Sequence, residues 1–143
     1  MTMSSPVNSR SSPDNGAQRA LILVVERNPA VQRLERFFLE QAGYTVEFAS
    51  DGVLALERAR DLKPKIIVTE ILVPRLDGLS LCRALKSDPK TSSIVVLVFS
   101  HLHAEDRALE AGADAFVVKP IDEENLIDIV SKLLEIRREG KGG

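Results

Sequence analysis

Four short apolar runs in this chain break off at a charged or hydroxyl residue. Leu21 to Val25 ends at Glu26-Arg27, Ile66 to Thr69 at Glu70, Ile94 to Phe99 at Ser100, and Ala115 to Val118 at Lys119. Short apolar runs separated by stretches of helical periodicity read as parallel strands buried on both faces. In an open α/β sheet the ligand crevice lies beyond the carboxyl ends of such strands. The four breaks therefore predict one polar site built from Glu26, Arg27, Glu70, Ser100 and Lys119.

The segments between the runs read as helices. Asn28-Pro29 is a cap followed by the residue best suited to a first helical turn; Val31, Leu34, Phe37 and Phe38 follow at helical spacing, and Gly43 stops the helix. Val46 and Phe48 alternate with Thr45, Glu47 and Ala49 as a short edge strand, Ser50-Asp51-Gly52 turns, and a helix runs to Lys63-Pro64. Further helices are expected over 78–87, 104–111 and 123–138. Five alternating units with short connections predict an α/β fold: a doubly wound, five-stranded parallel sheet of order 2-1-3-4-5 with helices on both faces. In that order Glu26 and Glu70 face each other across neighbouring strands. No repeat of 20 to 50 residues supports a solenoid.

With 143 residues, of which 44% are apolar, the chain suits one compact domain. Residues 1–19 hold five serines and two prolines and too few apolar side chains to bury, so they are expected to form a disordered tail. The domain should span 20–138, with a flexible end at 139–143. No secretory signal pattern or run of membrane-spanning length is present, which leads to an expectation of a cytoplasmic protein with no membrane contact. Without the tail the formal charge is −3, and the densest basic stretch is Arg137, Arg138 and Lys141. Nucleic acid is therefore not an expected ligand, since phosphate backbones require a clustered basic face. The single Cys82 lies among Leu79, Leu81 and Leu85 and reads as core filler more readily than as a reactive thiol.

The first strand-to-helix turn, Glu26-Arg27-Asn28-Pro29, offers neither the glycines of a dinucleotide site nor a P-loop cradle. A serine elbow between glycines is also absent. His101 and His103 could ligate a metal only with partners from elsewhere and read as ordinary loop histidines.

With these residues in view, the chain resembles a response-regulator receiver domain over residues 20–136, a flavodoxin-like fold. The resemblance rests on the acidic position before Asn28-Pro29, on the string Glu70-Ile71-Leu72-Val73-Pro74-Arg75-Leu76-Asp77-Gly78, on Ser100, and on Glu110-Ala111-Gly112-Ala113-Asp114-Ala115-Phe116-Val117-Val118-Lys119-Pro120. It implies a phosphoacceptor position at Glu70 and an acidic pair for Mg²⁺ at Glu26 and Arg27. It also implies phosphoryl contacts from Ser100 and Lys119, the latter followed by Pro120, and a switch aromatic at Phe116.

Two departures matter. The acceptor is Glu instead of Asp, and the second acid is Arg27. Phosphoryl transfer depends on positioning and charge neutralisation, and a displacement of about 1 Å can cost about a hundredfold in rate. Glu26 and Glu70 are expected to be balanced by Arg27 and Lys119, giving a formal sum of zero, and a cation in the metal's place repels Mg²⁺. No metal and no cofactor are therefore expected.

The expected function is a stand-alone, phosphorylation-independent pseudo-receiver acting through a protein partner, with a histidine kinase or another signalling protein as candidates. Homodimerisation through helix 4, strand 5 and helix 5 is a further candidate, because Ile129 and Ile136 widen the apolar face of helix 5 beyond what core packing needs. The stretch from Ser100 to Gly112 is about three residues shorter than the resemblance leads one to expect, which trims the start of helix 4. Two alternatives stay open: a conventional phosphoacceptor using an atypical residue, and a small acid–base enzyme using Glu26 and Glu70. The plainest alternative to all three is that these charges are merely solvated at a sheet edge.

Overall fold

The structure, a computed structural model, describes residues 19–142, with side-chain surroundings through Ile136. Its strands are β1 (Leu21–Val25), β2 (Thr45–Ala49), β3 (Ile66–Thr69), β4 (Val95–Ser100) and β5 (Ala115–Val118). All pair in parallel, in the order β2-β1-β3-β4-β5 expected from the sequence. β1, β3 and β4 lie inside the sheet and are buried over almost their whole length, which is why they carry unbroken apolar runs. β2, at one edge, keeps a two-residue alternation: Thr45 and Glu47 face water while Val46 and Phe48 are buried.

Helices α1 (Pro29–Gln41), α2 (Gly52–Leu62), α3 (Gly78–Ser87), α4 (Glu105–Glu110) and α5 (Glu123–Gly142) alternate with the strands. They cover both faces. Leu39 of α1 and Leu126 and Val130 of α5 pack with Ile22, Val24, Ile66 and Leu97 on one side. On the other, Ala55 and Ala59 of α2, Leu81, Cys82 and Leu85 of α3, and Ala108 of α4 pack with Leu23, Ile67 and Val96. Cys82 is thus core filler, and burial pushes its thiol up to about 11.

The helix starts follow from local chemistry. The Asn28 side chain accepts the Ala30 N–H at 2.9 Å, Asp51 accepts that of Leu54 at 2.7 Å, and Asp77 accepts those of Leu79 and Ser80. Burial works against the Asp77 carboxylate, but these hydrogen bonds win and lower its pKa. Gly43, at φ 101°, ends the first helical unit as expected.

Three readings need correction. The apolar positions of α1 do not all face inward: Leu34 and Phe37 are 52% and 54% exposed, whereas Leu39 is buried and Val31, Gln32, Glu35 and Phe38 are half-buried. The helix is rotated so that its inward stripe includes two polar residues. On α5, Ile129 packs against the core and only Ile136 stands clear, at 64% exposure, so the surplus apolar face is one residue rather than two. Finally, α5 continues to Gly142 instead of stopping at residue 138. No proline interrupts that stretch, and glycine weakens a helix by about 1 kcal/mol without ending it. Residues 1–18 and Gly143, and the side chains of Arg137, Arg138 and Lys141, lie outside the described residues and surroundings.

The first residue of α2 meets the β3–α3 loop at close range. The Gly52 N–H bonds to the Pro74 carbonyl at 3.0 Å, and a Cβ at Gly52 would overlap the carbonyl oxygen of Leu76. The Gly52→Ala variant should therefore lose about 3 kcal/mol of unfolding free energy in a urea titration, a cost of overpacking against backbone that cannot rotate away.

Candidate functional site

The sheet register sets the site. Val25 lies beside Thr69, the Glu70 N–H bonds to the Val25 carbonyl at 3.1 Å, and the Glu26 N–H bonds to the Ala49 carbonyl at 3.0 Å. The two acids therefore emerge together at the carboxyl end of the sheet, each at most 9% exposed. The Lys119 N–H bonds to the Ser100 carbonyl at 2.8 Å, which places its side chain at the same end, just before a cis peptide bond to Pro120.

Lys119 holds the acids together. Its Nζ stands 3.1 Å from Glu26 Oε1 and 3.5 Å from Glu70 Oε2, and it lies over the Phe99 ring at 4.9 Å from the centroid. The remaining oxygens take backbone donors: Glu26 Oε2 accepts the Asn28 N–H at 3.0 Å, and Glu70 Oε1 accepts the Ile71 N–H at 2.8 Å. Burial disfavours the Lys119 ammonium, but Glu26, followed by Glu35 and Glu70, outweighs it and holds the pKa above the ordinary lysine value.

Arg27 does not join them. Its side chain is exposed and forms no ion pair among the described residues, so the expected balance of two acids by two bases is not the one found.

The sequence reading missed Glu35. It sits on the inward stripe of α1, after Gln32, whose side-chain amide donates to the Glu26 carbonyl, and before the buried Leu39. Burial pushes its pKa up to about 7; Lys119 opposes the rise, while Glu26 and Glu70 add to it. Among the described residues Glu35 forms no ion pair, and Lys119 is shared by Glu26 and Glu70, which outnumber it by one charge when both are ionised. The spacing 28–32–35–39, a cap and three residues on one helical face, was the available signal.

The other expected positions do not join this cluster through any side-chain contact among the described residues. Ser100 is fully buried, and its hydroxyl accepts the Leu102 N–H at 3.2 Å. Phe116 is half-buried and, with His103, Arg107 and Val118, lines a shallow groove between α4 and β5 that is separate from the carboxylates. Pro120 is exposed, as are His101 and His103, and among the described residues no helix is long and apolar enough to cross a membrane.

Comparison with known proteins agrees with this geometry. The model of the response regulator receiver domain matches residues 22–131. The chain belongs to the response-regulator receiver family. It is 42% identical over 114 residues to the response regulator MprA of Mycobacterium ulcerans, covering 79% of this chain and 49% of that protein. It is 34% identical over 116 residues to RpaA of Synechocystis, described as a DNA-binding dual master transcriptional regulator, covering 79% and 48%. The chain thus spans about half the length of these curated relatives.

Among solved structures, the signal receiver domain of a signal transduction histidine kinase from Syntrophus aciditrophicus superposes with a TM-score of 0.76 at 34% identity, covering 81% of this chain and 90% of that one. The receiver domain of a Francisella response regulator gives 0.75 at 26%, covering 82% and 98%. The protein is accordingly a two-component receiver domain, a signalling module with a flavodoxin-like sheet.

Replacing Lys119 with Met would strand two buried carboxylates. The Lys119→Met variant should lose about 3 kcal/mol at neutral pH, and adding Glu70→Gln should recover part of that loss, because one uncompensated charge is then gone. Chemical denaturation of the two variants checks both outcomes.

Proposed function

We propose that this receiver domain acts without phosphorylation, its pocket already set, and that it works by presenting its α4, β5 and α5 side to a protein partner. The supporting observation is that every oxygen of Glu26 and Glu70 already faces a donor supplied by the chain: Lys119 for one oxygen of each, and the Asn28 and Ile71 N–H groups for the others. The Glu70 carboxylate, one methylene further from the backbone than that of aspartate, folds back onto the Ile71 N–H while its second oxygen faces Lys119. A nucleophilic oxygen held in this way is misplaced for in-line attack on phosphorus.

The donor set does not fit Mg²⁺. Hard cations take several oxygen ligands, whereas here the second acidic position is a solvent-facing arginine and the oxygens of Glu26 are engaged. The partner is a histidine kinase or another signalling protein, or a second copy of this chain. Ile136 and the α4–β5 groove mark the side that would meet it. Direct contact with nucleic acid is not part of this reading, since the RpaA description applies to a protein of about twice the matched length.

One observation favours a second reading, a conventional phosphoacceptor with an atypical residue. With Arg27 outside, the two carboxylates of Glu26 and Glu70 outnumber the Lys119 ammonium, an excess negative charge that a divalent cation would offset.

Intact mass after incubation with acetyl phosphate and Mg²⁺ decides between them. The native chain should keep its mass, whereas the Arg27→Asp/Glu70→Asp variant, which restores a short acceptor and a second carboxylate, should gain one phosphoryl group. A phosphoryl group on Glu70 of the native chain would overturn the proposal.

A further inference from the structure

We propose that two copies of this chain pair through the exposed face of α1, docked antiparallel about a twofold axis that crosses the helix between Leu34 and Phe37. The inference goes beyond the reading above: α1 packs on the sheet face opposite to α4, so this contact leaves the α4–β5 groove of each copy open. It rests first on an apolar stripe with nothing over it. With ~3.6 residues per turn, Ala30, Leu34, Phe37 and Gln41 fall within roughly 60° of one another around the helix, and all four are exposed, Leu34 and Phe37 by more than half. The helix already buries a different stripe, through Leu39, against the sheet, so the outer one is not a core face. The Phe37 ring meets that of Phe38 edge-on, 5.1 Å between centroids, which leaves it little freedom to lose on contact.

The spacing of the stripe selects the occupant. Positions 30, 34, 37 and 41 are separated by four, three and four residues, the repeat by which helices pair side by side. That spacing reads the same in both directions. A second α1 running antiparallel therefore sets Leu34 against Phe37 twice at the centre and Ala30 against Gln41 at each end. A twofold dimer requires a surface that is complementary to itself in this way.

Charge selects the same partner. Arg33 and Glu40 lie seven residues apart on one flank of the stripe, and reversal brings Arg33 of each copy to Glu40 of the other. Among the described residues Arg33 has no hydrogen-bond or ion-pair partner, and Glu40 uses only Oε2, towards Arg36 at 3.1 Å, leaving Oε1 for a second cation. Arg36 is turned aside, over the Phe48 ring at 4.9 Å from the centroid. The first turn of α1 holds no acid and its last turn no base, so antiparallel docking also offsets two macrodipoles that their own side chains leave uncompensated. The contact is small, since a helix of 13 residues is about 20 Å long. It belongs with weak, reversible association, with an expected dissociation constant of about 100 μM.

Sedimentation equilibrium of the full chain from about 10 μM to about 1 mM, a range that brackets this constant, tests the proposal. The expected result is a mass that climbs from 15.7 kDa towards twice that value. Leu34→Glu, at a position exposed enough to leave the fold intact, should stay monomeric. Arg33→Glu should raise the dissociation constant about tenfold, and Arg33→Glu/Glu40→Arg should return it to within about twofold of the native value. Ile136→Glu, on α5, should change nothing. A native chain that is monomeric up to about 1 mM, a dimer that survives Leu34→Glu or is lost with Ile136→Glu, or a double variant no tighter than Arg33→Glu would overturn the inference.

Discussion

The Lys119 ammonium, shared between Glu26 and Glu70, is the contact on which the pocket depends. Lys119 follows the edge strand β5, Glu70 follows β3 and Glu26 follows β1, so the interaction reaches across β4 and ties together strand ends that the backbone ladder joins only stepwise. Buried ion pairs contribute little net stability, because desolvation offsets most of their attraction. This one is tolerated because the Asn28 and Ile71 N–H groups satisfy the oxygens that Lys119 leaves. A core of branched aliphatic side chains on both faces of the sheet holds the fold, and the charged cluster is carried at its rim.

That division explains what is legible in the sequence. Strands buried on both faces need unbroken apolar runs, so β1, β3 and β4 announce themselves, and the residue ending each run marks the rim. The sheet order follows from five short alternating units, and Glu26, Glu70 and Lys119 can be placed together from sequence alone. The failures arise where a side chain's direction matters. Arg27 reads as part of the pocket because it is adjacent to Glu26, yet it lies in the bend beyond β1 with its side chain exposed, a direction that adjacency does not fix. Glu35 escapes a sequence reading because the apolar residues Leu34 and Phe37 draw the inward stripe of α1 to the wrong face, and only packing on the sheet fixes a helix's rotation. Ile129 reads as a surface residue for the same reason.

Correcting the place of Arg27 changes the electrostatics more than the architecture. With Arg27 in water, the two buried carboxylates of Glu26 and Glu70 face a single ammonium. The pocket is satisfied in its hydrogen bonds and unsatisfied in its charge. These are separate conditions: hydrogen bonding within the chain does not by itself balance its charge.

The route from the pocket to the α4–β5 groove is short. Lys119 is fixed through its own N–H to the Ser100 carbonyl, and the Ser100 hydroxyl accepts the Leu102 N–H at the start of the segment leading to α4. Phe116 and Val118, on β5 just before Lys119, line the groove against Arg107 of α4. A change in where the Lys119 side chain settles therefore acts on the strand that forms one wall of that groove. With α4 only six residues long, few packing contacts hold the opposite wall in place.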